Sequence, residues 1–136
     1  MSKRLLTVLS ICFVVAAGIA LYVWASGCCP TGPLCNGGAA KLPSGCDYAF
    51  TVQLDVDCVE SASVVLHLRK NSQDYDYFPM QLVEDPQDMC ADYYVVVYDL
   101  DPEASYSYYF DSRGGEGCTG RDPDGEIKYI LMPDCD

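Results

Sequence analysis

Nine cysteines in 136 residues are the densest set of reactive side chains in this sequence. Thiols can crosslink, hold a metal or attack a substrate, and spacing decides among these uses. Structural zinc needs paired ligands, yet the chain has no CxxC pair and a single histidine, His67. A nucleophile needs a base beside it and an acid to orient that base, and His67 sits between Val65 and Arg69 with no such partners nearby in the sequence. Paired carboxylates for glycoside cleavage need a cleft that raises the pKa of one of them. The acidic residues here fall instead on expected turns and outer strand faces. Crosslinking is the chemistry that remains, so no catalytic residue, metal site or cofactor is expected.

Disulfides need an oxidising compartment, and the N-terminus supplies a route to one. Lys3 and Arg4 precede an uncharged apolar run from Leu5 to Trp24, closed by Ala25-Ser26-Gly27-Cys28. By the positive-inside rule the basic start stays in the cytoplasm, and the chain after residue 27 is translocated. Ala25-Ser26-Gly27-Cys28 resembles the lipobox of bacterial lipoproteins, which implies lipidation of the Cys28 thiol. The apolar run is also long enough to span a bilayer as an uncleaved hydrophobic helix. Lipoprotein, uncleaved anchor and cleaved, secreted domain are the three readings. Cysteine parity leans to the anchor: lipidation of Cys28 leaves an odd set outside, and an intact anchor leaves an even one. The first two readings share one topology, a domain tethered to the cell membrane or outer membrane and facing the periplasm or extracellular space.

All 20 acidic residues lie from Asp47 onward, and beyond residue 27 they meet six basic ones, a balance of −14. Such a domain repels phosphate backbones, so nucleic acid is excluded as a partner, and it meets a membrane only through its N-terminus. Basic proteins or cations are its natural electrostatic partners.

Three segments follow: a leader over residues 1 to 27, a Cys/Gly/Pro-rich tether over 28 to 46, and a folded domain over 47 to 136. The tether shows no hydrophobic period and reads as a spacer partly stapled by disulfides. From Asp47 the period becomes two, which predicts strands. Tyr48, Phe50, Val52, Leu54 and Val56 share one face of the first. Ser63 to Lys70 is the second, with Val64, Leu66 and Leu68 opposite Val65, His67 and Arg69. Tyr75 to Val83 is the third, placed at an edge by Pro79. Asp92 to Leu100 is the fourth and central. Ser105 to Asp111 is the fifth, with Tyr106, Tyr108 and Phe110 inward, and Glu126 to Met132 the sixth, with Ile127, Tyr129 and Leu131 together. Tyr75, Tyr77, Tyr93 and Tyr109 fall on faces opposite the expected core. An all-β, antiparallel sandwich with an N-terminal hydrophobic helix is the predicted fold class.

Leu100-Asp101-Pro102-Glu103-Ala104-Ser105-Tyr106, followed by Ser107-Tyr108-Tyr109-Phe110, resembles the turn and strand of fibronectin type III and early-set immunoglobulin-like domains. In that family a tyrosine after the turn bonds its hydroxyl to upstream backbone and fixes the corner. The resemblance assigns this role to Tyr106. The stretch, with Pro79-Met80 and Asp122-Pro123, also resembles early-set modules that precede amylase-type domains, some of which bind glucans. That implies carbohydrate as a possible ligand, with tyrosines in the stacking role because the one tryptophan, Trp24, is in the leader.

If the strands simply alternate direction, the connections 59 to 62, 84 to 91 and 112 to 125 gather at the pole farthest from the leader. That pole is acidic: Glu60, Glu84, Asp85, Asp88, Glu116, Asp122 and Asp124 outnumber Arg113 and Arg121. It reads as solvating charge, or as a docking surface for a basic partner through Glu84, Asp85, Asp88, Glu116, Asp122 and Asp124. The same geometry sorts Cys58, Cys90 and Cys118 to that pole and Cys46 and Cys135 to the other. Cys29 and Cys35 lie in the tether. Cys46 is expected to pair with Cys135 or a tether cysteine, and two of Cys58, Cys90 and Cys118 with each other. Asp122-Pro123-Asp124-Gly125 resembles the middle of an EF-hand loop, but aligning Gly125 puts Gly120 and Leu131 at ligand positions, so a turn is expected. The function these features support is a non-enzymatic interaction or structural module working with other envelope or surface proteins. A carbohydrate-binding module is the second reading.

Overall fold

Successive side chains leave a strand on opposite faces, so alternation of apolar and polar residues marks where a sheet covers a core. The computed structural model describes residues 28 to 83 and 89 to 135. Its strands are β1 (Leu34–Lys41), β2 (Tyr48–Asp55), β3 (Ser63–Lys70), β4 (Asp76–Pro79), β5 (Gln81–Leu82), β6 (Cys90–Val97), β7 (Tyr106–Arg113), β8 (Gly120–Asp122) and β9 (Tyr129–Leu131). The first sheet has the order β1-β2-β6-β5; the second runs β4-β3-β7-β8, with β9 also paired to β7. Every pairing is antiparallel. Among the described residues no helix is long and apolar enough to cross a membrane. The leader and its expected hydrophobic helix, residues 1 to 27, lie outside the described residues.

The core forms where the alternating faces of the two sheets meet. Phe50, Val52 and Leu54 of β2 face Val64, Leu66, Leu68, Tyr106, Tyr108 and Phe110 of β3 and β7, and all are buried. The Phe50 and Tyr108 rings meet edge to face with centroids 5.0 Å apart, the arrangement aromatic quadrupoles favour. Each fully buried large apolar side chain contributes roughly 1.5–3 kcal/mol. Tyr93 was expected on an outer face, but β6 turns it inward and only 6% of it is exposed. Val56 begins a 3-10 turn rather than extending β2 and is exposed.

Residues 28 to 46 are not a spacer. Eight of them form β1, paired with β2 from Leu34 opposite Leu54 to Lys41 opposite Tyr48, with a register shift between Cys35 and Gly38. Small residues suit this edge strand because it passes close to the core. A Cβ on Gly37 would lie 2.5 Å from the Phe110 ring and 2.6 Å from Asp122 Oδ2. Pairing here depends on backbone groups and close approach, neither of which leaves a hydrophobic period.

That extra strand reverses the expected polarity. Cys28 and Cys29 both donate their backbone amides to Asp55 Oδ1, at 3.2 Å each. Asp55 lies at the same pole as the turn at Val56–Cys58, whose Cys58 is bonded to Cys118, and Val56 donates to the Met89 carbonyl at 3.0 Å. The described chain therefore begins at the pole expected to be farthest from the leader. One more crossing of the sandwich exchanges the two ends.

The third expected strand divides at buried Met80 into β4 of one sheet and β5 of the other, each at an edge, as Pro79 implies. β6 lies between β2 and β5, the interior position expected of it. The sixth shortens to β9. Ile127, assigned to its inner face, is 77% exposed, while Tyr129 and Leu131 are half-buried.

All eight described cysteines are paired: Cys28–Cys90, Cys29–Cys35, Cys46–Cys135 and Cys58–Cys118, with Cα separations of 5.1, 5.4, 4.6 and 5.4 Å. Cys46–Cys135 is one of the two alternatives expected for Cys46, and Cys58–Cys118 joins two of the three cysteines expected to pair among themselves. Lipidation of Cys28 is a correction: its sulfur is bonded to Cys90, and the same atom has no valence left for a lipid thioether.

Candidate functional site

The outer face of the second sheet collects the side chains that the core excludes. In β3 the outward positions are Val65, His67 and Arg69, and in β7 they include Tyr109 and Asp111. Register sets His67 opposite both Tyr109 and Tyr77, and Asp111 opposite both Val65 and Arg121. Cross-strand neighbours on one face touch, so one row is built of aromatic rings and the next of charges.

The imidazole of His67 lies face to face with Tyr109, centroids 4.3 Å apart at 9°, and edge to face with Tyr77 at 4.8 Å. Arg121 covers the other part of this stack, its guanidinium carbon 4.0 Å from the Tyr109 centroid. Tyr75 meets Tyr109 edge-on and takes Arg69 at 5.0 Å and Lys128 at 4.8 Å over its ring. Cations over tyrosine faces are held by the ring quadrupole. Among the described residues no carboxylate pairs with Arg69, Arg121 or Lys128. Asp111 Oδ2 instead lies 3.5 Å from His67 Nε2 and 3.3 Å from Arg113 Nε. The first distance is an ion-pair contact too long for a good hydrogen bond. Burial lowers the His67 pKa below its ordinary value, opposed by Asp111 and assisted by Arg113 and Arg121.

Polar atoms are left over at this face. Nδ1 and Nε2 of His67, Nε of Arg69, Nε of Arg121 and Oη of Tyr75 are buried without a hydrogen-bond partner among the described residues. Buried polar groups are nearly always paired, so a cluster of five orphans is a local departure. Beside them opens a pocket of about 380 Å³ lined by Val65, His67, Tyr77, Asp111 and Arg113. His67 is 6% exposed and Tyr77 67% exposed, so the pocket has a buried polar floor and a free aromatic wall. Its lining includes no Ser, Thr or Cys.

Of the acidic residues expected at a docking surface, the three that are described, Glu116, Asp122 and Asp124, are not brought together. Glu84, Asp85 and Asp88 lie outside the described residues. Glu116 is exposed in the turn after β7, at the pole. β8 then carries the chain back along β7, with Gly120 opposite Ser112 and Asp122 opposite Phe110. Asp124 is therefore exposed beside the middle of the sheet, and Asp122 is buried. Asp122 accepts from the Gly37 amide at 2.7 Å and the Tyr129 hydroxyl at 3.2 Å, an internal fastening.

Cys28, Cys29 and Cys35 place their sulfurs within 4.8 Å of one another. All three are in disulfides and offer no thiolate to a metal.

His67, Tyr75, Tyr77 and Tyr109 of this face were visible as outward positions of alternating strands. Asp111 and Arg113 continue β7. Arg121 comes from β8, where no period announces a strand; Lys128 falls within the expected sixth strand, opposite Ile127, Tyr129 and Leu131, and in the structure just precedes β9. Comparison with protein-family models and with the curated proteins returned no match to this chain.

Proposed function

We propose that this protein is a membrane-tethered, extracytoplasmic, non-enzymatic interaction module that binds through the outer face of its second sheet. One observation carries the reading: of the six basic residues beyond residue 27, four (Arg69, Arg113, Arg121 and Lys128) lie on that face. In a domain of balance −14, this concentration of basic side chains on one face favours a partner presenting anionic groups. Four disulfides support an oxidising location, and the apolar leader supports a tether. The sandwich is read as fibronectin type III or early-set in type, because Tyr106 bonds upstream backbone at Asp101 as that corner requires.

The test is affinity capture from mildly solubilised membranes with the full chain and with an Arg69→Gln, Arg121→Gln, Lys128→Gln variant. The native chain retains an envelope or surface component that the variant releases. Recovery of the monomer alone, or equal retention by both, overturns the reading. The second reading, carbohydrate binding, is favoured by exposed Tyr77 standing as a free wall beside a pocket.

A further inference from the structure

We infer that the pocket beside His67 takes one carboxylated sugar ring, a hexuronate or similar acidic unit of a glycan, held by Arg113 in its lining and by Arg121, the cross-strand neighbour of Asp111. The inference rests on reading this face as a binding surface and names what that surface binds.

Three observations select the ligand. The first is the kind of atom left unpaired. Arg69 Nε, Arg121 Nε and the Tyr75 hydroxyl are unpaired donors of the same face, outside the pocket lining, and within the lining His67 presents an unpartnered Nδ1. Donors without acceptors call for anionic oxygens, and a guanidinium matches a carboxylate in shape as well as charge. His67 is more than nine-tenths buried and lines the pocket; its Nδ1 has no partner, and its Nε2 stands 3.5 Å from Asp111 Oδ2.

The second is the pocket itself. About 380 Å³ lies near the lower end of ligand cavities, which run roughly 300–1,000 Å³. Tyr77 offers a free ring face against which the C–H side of a sugar can lie. Asp111 supplies an acceptor for sugar hydroxyls, and Arg113, its side chain 80% exposed, reaches past it into solvent.

The third is what the surface lacks. The pocket floor is mid-strand: β3 is paired on both edges by β4 and β7, and β7 by β3 and by β8 and β9. Neither β3 nor β7 has a free edge for an added peptide strand, and the edge strand beside them, β4, is four residues long and ends at Pro79. Recognition over β3 and β7 is by side chains, which suits a ring studded with hydroxyls. The −14 balance works against a long, densely charged polyanion, so the acidic sugar is a sparse or terminal unit.

The experiment titrates the full chain, in detergent micelles, with three probes: tetraglucuronic acid, neutral cellotetraose and a tetraglutamate peptide. Binding is read by calorimetry and by the imidazole NMR signals of His67, the one histidine. The acidic sugar is expected to bind at least about tenfold more tightly than either other probe and to shift the His67 signals. Arg121→Gln and Tyr77→Ala each weaken it by about tenfold. Arg113→Gln weakens it several-fold, and its exposed position keeps folding out of the question. Lys70→Gln, off this face and paired with Asp101 at 3.0 Å, leaves it unchanged. Equal binding of cellotetraose or of the peptide overturns the acidic-sugar assignment. Failure of all three probes also overturns it, and the membrane capture then decides the wider reading. If the triple variant still releases its membrane partner, the face binds something else; if it does not, both readings fall.

Discussion

The backbone amide of Gly37 donates to Oδ2 of Asp122 at 2.7 Å, joining β1 to β8 across 85 residues of chain. Oδ1 of the same carboxylate accepts from the Tyr129 hydroxyl at 3.2 Å, which adds β9. Burial and the neighbouring Asp122 push the Tyr129 phenol up to about 12, so it stays a donor at any ordinary pH. Three elements of short or irregular strand thus share one acceptor. Asp122→Ala leaves two donors unpaired at a buried site and should cost about 2–4 kcal/mol. Urea unfolding of the oxidised chain should show a lower midpoint at unchanged slope. Gly37→Ala should destabilise by a similar route, because its new methyl meets the Phe110 ring and Asp122 itself.

Tyr106 holds the turn before β7. Its hydroxyl oxygen accepts the Asp101 amide at 2.9 Å, while the ring is buried in the core. Tyr106→Phe keeps the ring and removes the acceptor, so only the corner is tested. A loss of about 1 kcal/mol is expected, together with faster hydrogen exchange at the Asp101 amide. Unchanged exchange there would mean that the turn is held by its other bonds, such as that from the Glu103 amide to Asp101 Oδ1 at 2.9 Å.

β2, β3 and β7 were legible because each buries one face, and alternation is the direct consequence. Pro79 marked an edge for an equally physical reason, its missing donor. β1 was hidden because an edge strand of Asn, Gly and Ala next to the core needs closeness rather than bulk. β8 was hidden because three residues are too few to show a period. Those two omissions had different costs. Missing β1 exchanged the poles, and missing β8 sent Asp122 and Arg121 to a loop they do not occupy. Much of the site was visible: His67, Arg69, Tyr75, Tyr77 and Tyr109 stood on outward positions and Lys128 fell in the expected sixth strand, but Arg121 comes from β8, whose placement only pairing reveals.

The four crosslinks should not contribute equally. Cys58 and Cys118 are 60 residues apart, and Cys29 and Cys35 only 6. Chain entropy limits the unfolded state more for the longer loop, about 4 kcal/mol against about 2 kcal/mol. Cys58→Ser with Cys118→Ser should therefore lower the unfolding midpoint about twice as far as Cys29→Ser with Cys35→Ser. Peptide mapping without reduction checks that the other pairs are undisturbed. A larger loss from the short loop would show that it secures β1 rather than merely closing a small ring.

Stacked on Tyr109, bordered by Tyr77 and faced by Asp111, Arg113 and Arg121, His67 should make stability depend on pH. Burial holds its pKa below the ordinary 6.5. The unfolded chain therefore takes up the proton at a higher pH than the folded one. Above about pH 6.5 both states are neutral and the contribution of this residue is fully present; as pH falls through the folded value it is lost, because only the unfolded state gains by protonation. Thermal unfolding followed from about pH 8 down to about pH 5 should show a falling Tm, steeper in the native chain than in His67→Gln. The difference between the two proteins isolates the imidazole, since carboxylates that titrate lower are common to both. A difference that stays flat, or that grows in favour of the native chain as pH falls, would mean that Asp111 outweighs burial and that His67 is held as a cation.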